Sequence, residues 1–127
     1  VIRIHQNVYP DVFDPQKSSY ANEIAVLLLN YEGLTKLNPQ GEAVPAAAEE
    51  WEFSEAGDVV TFTLRSNLQY SDGSPLTSEN FRYAIERNCD SATAGEYQSI
   101  LWEVVGCQEF STTPATDTAA YEAAREG

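Results

Sequence analysis

The chain has 127 residues, with 20 Asp and Glu against 7 Lys and Arg, so its formal net charge is −13. That is room for one domain of ordinary size, and 43% hydrophobic with 11% aromatic residues is too apolar a composition for intrinsic disorder. Seven scattered basic residues build no stripe against phosphates, which argues against nucleic acid as a partner, and no run approaches the ~20 apolar residues of a membrane helix.

The acidity suits a secreted or surface protein kept soluble by charge, or a salty habitat. The sequence starts at Val1 with neither a basic lead nor an apolar h-region, so any export signal is expected to lie outside it. Cys89 and Cys107 are its two cysteines. In an exported protein they would most simply pair, and in a cytosolic one they would be ordinary thiols.

Residues 1–8 alternate as a short strand does. Tyr9-Pro10-Asp11 and Asp14-Pro15 then turn the chain, and Ser18 or Ser19 is placed to cap a helix over about 20–31. Tyr20, Ile24, Leu27, Leu28 and Tyr31 form one face of that helix, and Gly33 ends it. Leu34–Leu37 reads as a strand before the turn Asn38-Pro39-Gln40-Gly41. The stretches 44–48 and 50–54 read as extended or partly helical and carry Trp51 and Phe53.

Val59–Arg65 is the clearest strand, with Val60, Phe62 and Leu64 on one face. After Leu68–Tyr70 the run Ser71-Asp72-Gly73-Ser74-Pro75 turns again. Thr77 should cap a helix near 78–88 with Phe81, Ala84 and Ile85 on one face. Thr93 and Glu96 stand three apart as a capping box. They would open a helix over 94–105 whose stripe is Tyr97, Ile100, Leu101, Val104 and Val105, stopped by Gly106. Residues 111–116 read as a turn-rich linker before an Ala-rich helix near 118–126, capped by Thr116 or Asp117. The order is α+β, and residues 111–127 are expected to be the least anchored part.

Catalytic signals are sparse. His5 has no paired Cys or His nearby to complete a zinc site, and no Gly-x-Ser-x-Gly elbow accompanies it for nucleophilic catalysis. Neither phosphate-cradling glycine motif occurs. Carboxylates such as Glu49, Glu50, Glu122 and Glu126 read as solvated faces, although counting them does not dispose of a paired-carboxylate hydrolase. The expectation is no catalytic residue, no metal and no cofactor.

Several short motifs gain weight from their order. Asp14-Pro15 is followed by Tyr31-Glu32-Gly33-Leu34, Pro45-Ala46-Ala47-Ala48-Glu49-Glu50-Trp51 and Thr61-Phe62-Thr63-Leu64-Arg65. Next come Tyr70-Ser71-Asp72-Gly73-Ser74-Pro75-Leu76-Thr77-Ser78-Glu79-Asn80-Phe81, Tyr83-Ala84-Ile85-Glu86-Arg87 and Val105-Gly106-Cys107-Gln108-Glu109-Phe110. Over residues 12–110 this order resembles the N-terminal region of the family 5 extracellular solute-binding proteins, the oligopeptide, dipeptide and nickel receptors of ABC importers.

The resemblance implies part of a periplasmic-binding-protein-like lobe of the peptide-binding branch, a short mixed or antiparallel sheet with flanking helices. Residues 1–33 would be the opening strand and helix of the first lobe. Residues 34–127 would be most of the small accessory domain, without its return strand. The family is several times longer and closes two lobes on its ligand, so the chain is expected to be a fragment of such a receptor, extracellular, periplasmic or at the cell surface. The implied partners are a peptide or similar small solute and an ABC permease, with a parent compatible with lipid anchoring.

By the same resemblance Ser19, Tyr20 and Ala21 would lie where ligand is contacted after Asp-Pro, with Ser19 where relatives commonly carry an acid. Tyr97 matches a tyrosine that touches ligand in some relatives. Ser19 as an ordinary helix cap and Tyr97 as a core aromatic are the plainer alternatives. An exported setting favours a Cys89–Cys107 disulfide. A helix over 94–105 would be about 18 Å long, and the linker 90–93 spans at most roughly 14–18 Å, so the linker would have to run back along the helix. The rival functions are a self-standing extracellular interaction module and an acidic hydrolase.

Overall fold

In the computed structural model, which describes Arg3, His5, Gln6 and residues 8–126, the elements run in the order α1 (Ala21–Asn30), β1 (Thr35–Leu37), β2 (Ala43–Pro45), β3 (Ala48–Phe53), β4 (Val60–Leu64), α2 (Ser78–Cys89), a 3-10 helix (Gln98–Leu101), α3 (Cys107–Thr112) and α4 (Thr118–Glu126). The protein is α+β. Half of the residues of the strand expected over 1–8 lie outside the described residues. Two compact units result, one made of residues up to Asn30 together with those from Arg82 onward, the other of Tyr31–Phe81.

The Tyr31–Phe81 unit is built from hairpins. β1 pairs antiparallel with β2, Lys36 opposite Val44, across a turn held by Asn38. Its side-chain oxygen accepts the N–H groups of Gln40 and Glu42 at 3.0 and 2.9 Å, the local bonding that makes Asn a turn residue. β3 and β4 form the second antiparallel pair, with Trp51 opposite Phe62 and Phe53 opposite Val60. Both sheets are antiparallel, with no mixed pairing among the described strands.

Ala46, Ala47 and Ala48 are the buried residues of this unit. The Ala47 and Ala48 N–H groups donate to the Gly33 and Leu34 carbonyls, while the Arg65 N–H donates to the Ala47 carbonyl. Backbone is bonded closely on both sides of this tripeptide, which leaves room for methyl side chains and little more. Arg65 also pairs with Glu32, so two of the sequence motifs meet at this crossing.

The apolar face of β4 is not covered as the alternation suggests. Val60 and Phe62 remain exposed, because a two-stranded ribbon brings no second layer of its own. The Leu68–Tyr70 strand reduces to a single bridge between Gln69 and Pro75. α2 starts where its cap predicts, by half of a capping box. The Asn80 side-chain oxygen accepts the Thr77 N–H at 2.8 Å, while the Thr77 hydroxyl donates to that same oxygen instead of capping the helix.

The other unit holds the larger apolar cluster. Cys89, Cys107, Phe110 and Ala124 are buried together, with Leu101 and Tyr121 packed against them. Cys89 and Cys107 form a disulfide with Cα atoms 5.0 Å apart. The Phe110 and Tyr121 rings lie 5.2 Å centroid to centroid, and the Tyr121 hydroxyl donates to Asp90 at 2.7 Å. α4 begins at the expected cap, the Asp117 side chain accepting the Ala120 N–H. Within residues 111–127, the stretch expected to be least anchored, Tyr121 and Ala124 are the residues that join this cluster.

The helix expected over 94–105 does not form. Ala94 takes a positive φ of 52°, and after one 3-10 turn at Gln98–Leu101 the chain continues in turns. Ile100 and Val105 are exposed, and Leu101 is the stripe residue that packs on the cluster. Gly106 does not stop a helix. With φ 82° it precedes α3 as its N-cap, a conformation glycine adopts without cost. An α-helix over 94–105 would carry the chain some 18 Å from its start, whereas the disulfide requires Cys107 beside Cys89. Turns, not a helix, return the chain to Cys89.

Candidate ligand-binding site

The residues singled out for ligand, Ser19, Tyr20, Ala21 and Tyr97, all belong to the unit that holds the disulfide. Three local arrangements set their positions. The first is the turn after Asp14, where the Lys17 and Ser18 N–H groups donate to the Asp14 carbonyl at 3.0 and 2.9 Å. Ser18 is buried and its hydroxyl donates to the Val12 carbonyl at 2.8 Å. It does not cap α1. Nor does Ser19.

The second arrangement is the start of α1. Tyr20 accepts the first helical N–H, from Ile24, and Glu23, three residues on, reaches back as the acidic half of a capping box does. Glu23 is 2% exposed. Its carboxylate accepts the N–H groups of Val12, Ser19 and Tyr20 at 3.0, 3.3 and 3.4 Å. Burial acts to raise its pKa, but the backbone donors of Val12, Tyr20, Ser19 and Asp11 together outweigh it and leave the group lowered. This carboxylate is engaged by backbone donors from two segments of the loop.

The third arrangement is a clasp between this loop and α2. Arg87 donates through Nη1 to Asp14 Oδ1 at 2.7 Å and to Gln16 Oε1 at 2.6 Å, and pairs through Nη2 with Asp14 Oδ2. Gln16 Nε2 donates in turn to the Ala84 carbonyl at 3.3 Å. The Arg87 bond is the main cause holding the Asp14 carboxyl below its ordinary value. Such a group stabilises the fold above its unfolded pKa, about 4, and loses that contribution as pH falls through its lowered folded pKa. Arg87→Ala should cost about 1–2 kcal/mol at neutral pH, the worth of charged hydrogen bonds reduced for partial exposure. Its stability should also fall less steeply than the parent's below about pH 4. Chemical denaturation across that range checks both.

Against this loop lies the turn carrying Tyr97. The Gln98 side chain donates to the Asp90 carbonyl at 2.6 Å, and the Tyr97 hydroxyl donates to the Ser19 carbonyl at 3.2 Å. Two sequence-predicted positions 78 residues apart are thus in contact. Tyr20 and Ala21 are exposed beside them, with Tyr97 about half exposed. Glu23 and Gln16 escaped the sequence reading as site-forming residues. The one signal for Glu23 was an acid three positions after the residue preceding the helix. Gln16 had none.

The chain matches the family described as bacterial extracellular solute-binding proteins, family 5 Middle, over residues 42–125. The chain belongs to this family. Among curated relatives it is 38% identical over 101 residues to the "Probable deoxycholate-binding periplasmic protein YgiS" of Escherichia coli (strain K12), covering 80% of this chain and 19% of that protein. It is 37% identical over 100 residues to the periplasmic oligopeptide-binding protein OppA of Haemophilus influenzae, covering 79% and 18%.

Among solved structures of the family, the Haemophilus influenzae OppA complex with RPPGFSPFR aligns with TM-score 0.74 and 35% identity over 78% of this chain and 20% of that one. The Escherichia coli murein tripeptide binding protein MppA aligns with TM-score 0.74 and 33% identity over 84% and 22%. The chain spans about a fifth of the length of these relatives. As a member of this extracellular family it is extracytoplasmic, and the Cys89–Cys107 disulfide fits an oxidising compartment. Among the described residues no helix is long and apolar enough to cross a membrane.

Proposed function

We propose that the chain serves in solute capture for an ABC importer, as part of a receptor that binds a peptide or similar small solute and delivers it to a permease. Family membership over residues 42–125 and the Tyr97–Ser19 contact support this reading, the contact being the observation that carries the site. In this proposal residues 1–33 contribute the opening of the first lobe and 34–127 most of the accessory domain. The chain has no catalytic role.

Ser19, Tyr20, Ala21 and Tyr97 are the proposed ligand contacts. They offer neutral chemistry: the Ser19 hydroxyl, the lone pairs of the Tyr97 oxygen and two exposed aromatic rings. A peptide amine finds no carboxylate among these four, since Ser19 stands at the position of the expected acid and Glu23 is occupied by backbone. Backbone amides and apolar side chains of a solute suit such a surface better than a charged terminus.

NMR titration of the chain with a mixed tripeptide pool at millimolar concentration tests the site. The amide signals of Ser19, Tyr20, Ala21 and Tyr97 should shift first. Shifts confined to the β3–β4 ribbon would place ligand contact elsewhere.

A further inference from the structure

Gly95 sits two residues before Tyr97, against the backbone of Gln16. A Cβ built on Gly95 would fall 3.3 Å from the Gln16 carbonyl carbon and well inside van der Waals contact of its oxygen. The obstacle is main chain, which has no rotamer to move aside. The Gln16 backbone is itself restrained, because its N–H donates to Asp14 Oδ1 at 3.1 Å and its side chain is held by Arg87 and the Ala84 carbonyl. No side chain fits at position 95 unless the two segments part.

We infer that Gly95 is a positioning residue for the ligand site: its missing side chain lets the turn rest on Gln16, and that contact brings the Tyr97 hydroxyl onto the Ser19 carbonyl. The inference rests on the ligand reading of Tyr97 only for its functional meaning. Geometrically it stands on three observations: the Gly95–Gln16 approach, the clasp that fixes Gln16, and the 3.2 Å bond from Tyr97. Gln16 lies three residues before Ser19 and Gly95 two before Tyr97, so the close backbone approach and the Tyr97 bond join the same two short segments. At 3.2 Å the bond is already longer than is usual for a hydroxyl donor, and parting the segments by roughly 1 Å breaks it. Tyr97 is therefore set in place before any ligand arrives, which lowers the ordering cost of binding.

The chain labelled with 13C at the tyrosine ζ carbon gives seven signals, two of which Tyr97→Phe and Tyr121→Phe assign by their loss. In Gly95→Ala the Tyr97 signal should move to the position of a solvent-exposed phenol, while that of Tyr121, bonded to Asp90 beside the disulfide cluster, stays in place. A folded Gly95→Ala variant with Tyr97 unmoved overturns the inference.

If Gly95→Ala also disturbs Tyr121, the decision passes to Gln16→Ala, which adds no atoms and releases Gln16 from Arg87 and Ala84. Tyr97 should again shift with Tyr121 unmoved, and an unshifted Tyr97 there sinks the claim. Peptide titration of the parent chain is a separate readout. A Tyr97 signal indifferent to peptide counts against the ligand reading, whereas the variants alone judge the positioning.

Discussion

Removing the bridge as Cys89→Ala with Cys107→Ala should destabilise the chain by about 3 kcal/mol, the chain-entropy value for closing a loop of this size. The two residues are 18 apart in sequence. Both are buried, 4% and 3% exposed, in the cluster formed with Phe110 and Ala124, so the substitutions also remove sulfur from a packed site and leave a void. For a chain of this length such a loss lowers Tm by roughly 10–15 °C. The effect is large because the cluster contains few residues and the 90–106 turn has little regular structure of its own to hold it. Thermal unfolding followed by circular dichroism measures it. A Tm within a few degrees of the parent would mean that the packing of Phe110, Tyr121 and Ala124 holds the turn without the bond.

The isolated chain should bind no oligopeptide with a Kd below about 1 μM. Binding sites for small molecules bury some 70–90% of their ligand. Here Tyr20 is 69% exposed and Tyr97 47% exposed, so a peptide laid on Ser19–Ala21 and Tyr97 would be covered on one side only. The hydrogen bonds it made there would compete with water at close to full strength. A receptor of the proposed kind gains affinity by closing a second lobe over the ligand, and one open surface forgoes that desolvation. The contrast should amount to a thousandfold or more, about 4 kcal/mol. Calorimetry against a tripeptide pool reads it directly, and a nanomolar isotherm would show that this surface is a complete site.

The two results test different parts of the molecule. The first asks how far the bridge holds the turn bearing Tyr97, and the affinity reports how little of a solute that turn can cover. In the proposed receptor a stable platform with weak contacts is a workable division of labour. A rigid half-site costs little to order when the ligand is enclosed.

Much of the candidate site was legible only as an address. Ser19, Tyr20, Ala21 and Tyr97 came from the order of motifs, and nothing in their spacing said that Tyr97 and Ser19 would touch. The groups that bring them together are Glu23, Gln16, Arg87 and Gly95. Each acts through a partner distant in sequence or through backbone, which a pattern of side chains does not record. Arg87 lay within a recognised motif, yet its bonds to Asp14 and Gln16 depend on where α2 crosses the loop.

By itself the sequence determined the elements whose signals are local. β4 follows from its alternation, the 38–41 turn from Asn38, the starting point of α2 from Thr77, and α4 from Asp117, because caps, turns and strand faces act within a few residues. The family, too, was readable from motif order. Tertiary structure alone decided the path from Cys89 to Cys107. There a clean helical stripe lost to a disulfide with Cα atoms 5.0 Å apart and to a glycine pressed on a neighbouring backbone. Apolar periodicity measures what a helix would bury if it formed, and intrinsic propensity adds only a fraction of a kcal/mol per residue. It carries no information on whether the chain must return to its starting point, and here a covalent bond and a close-packed main chain require that return.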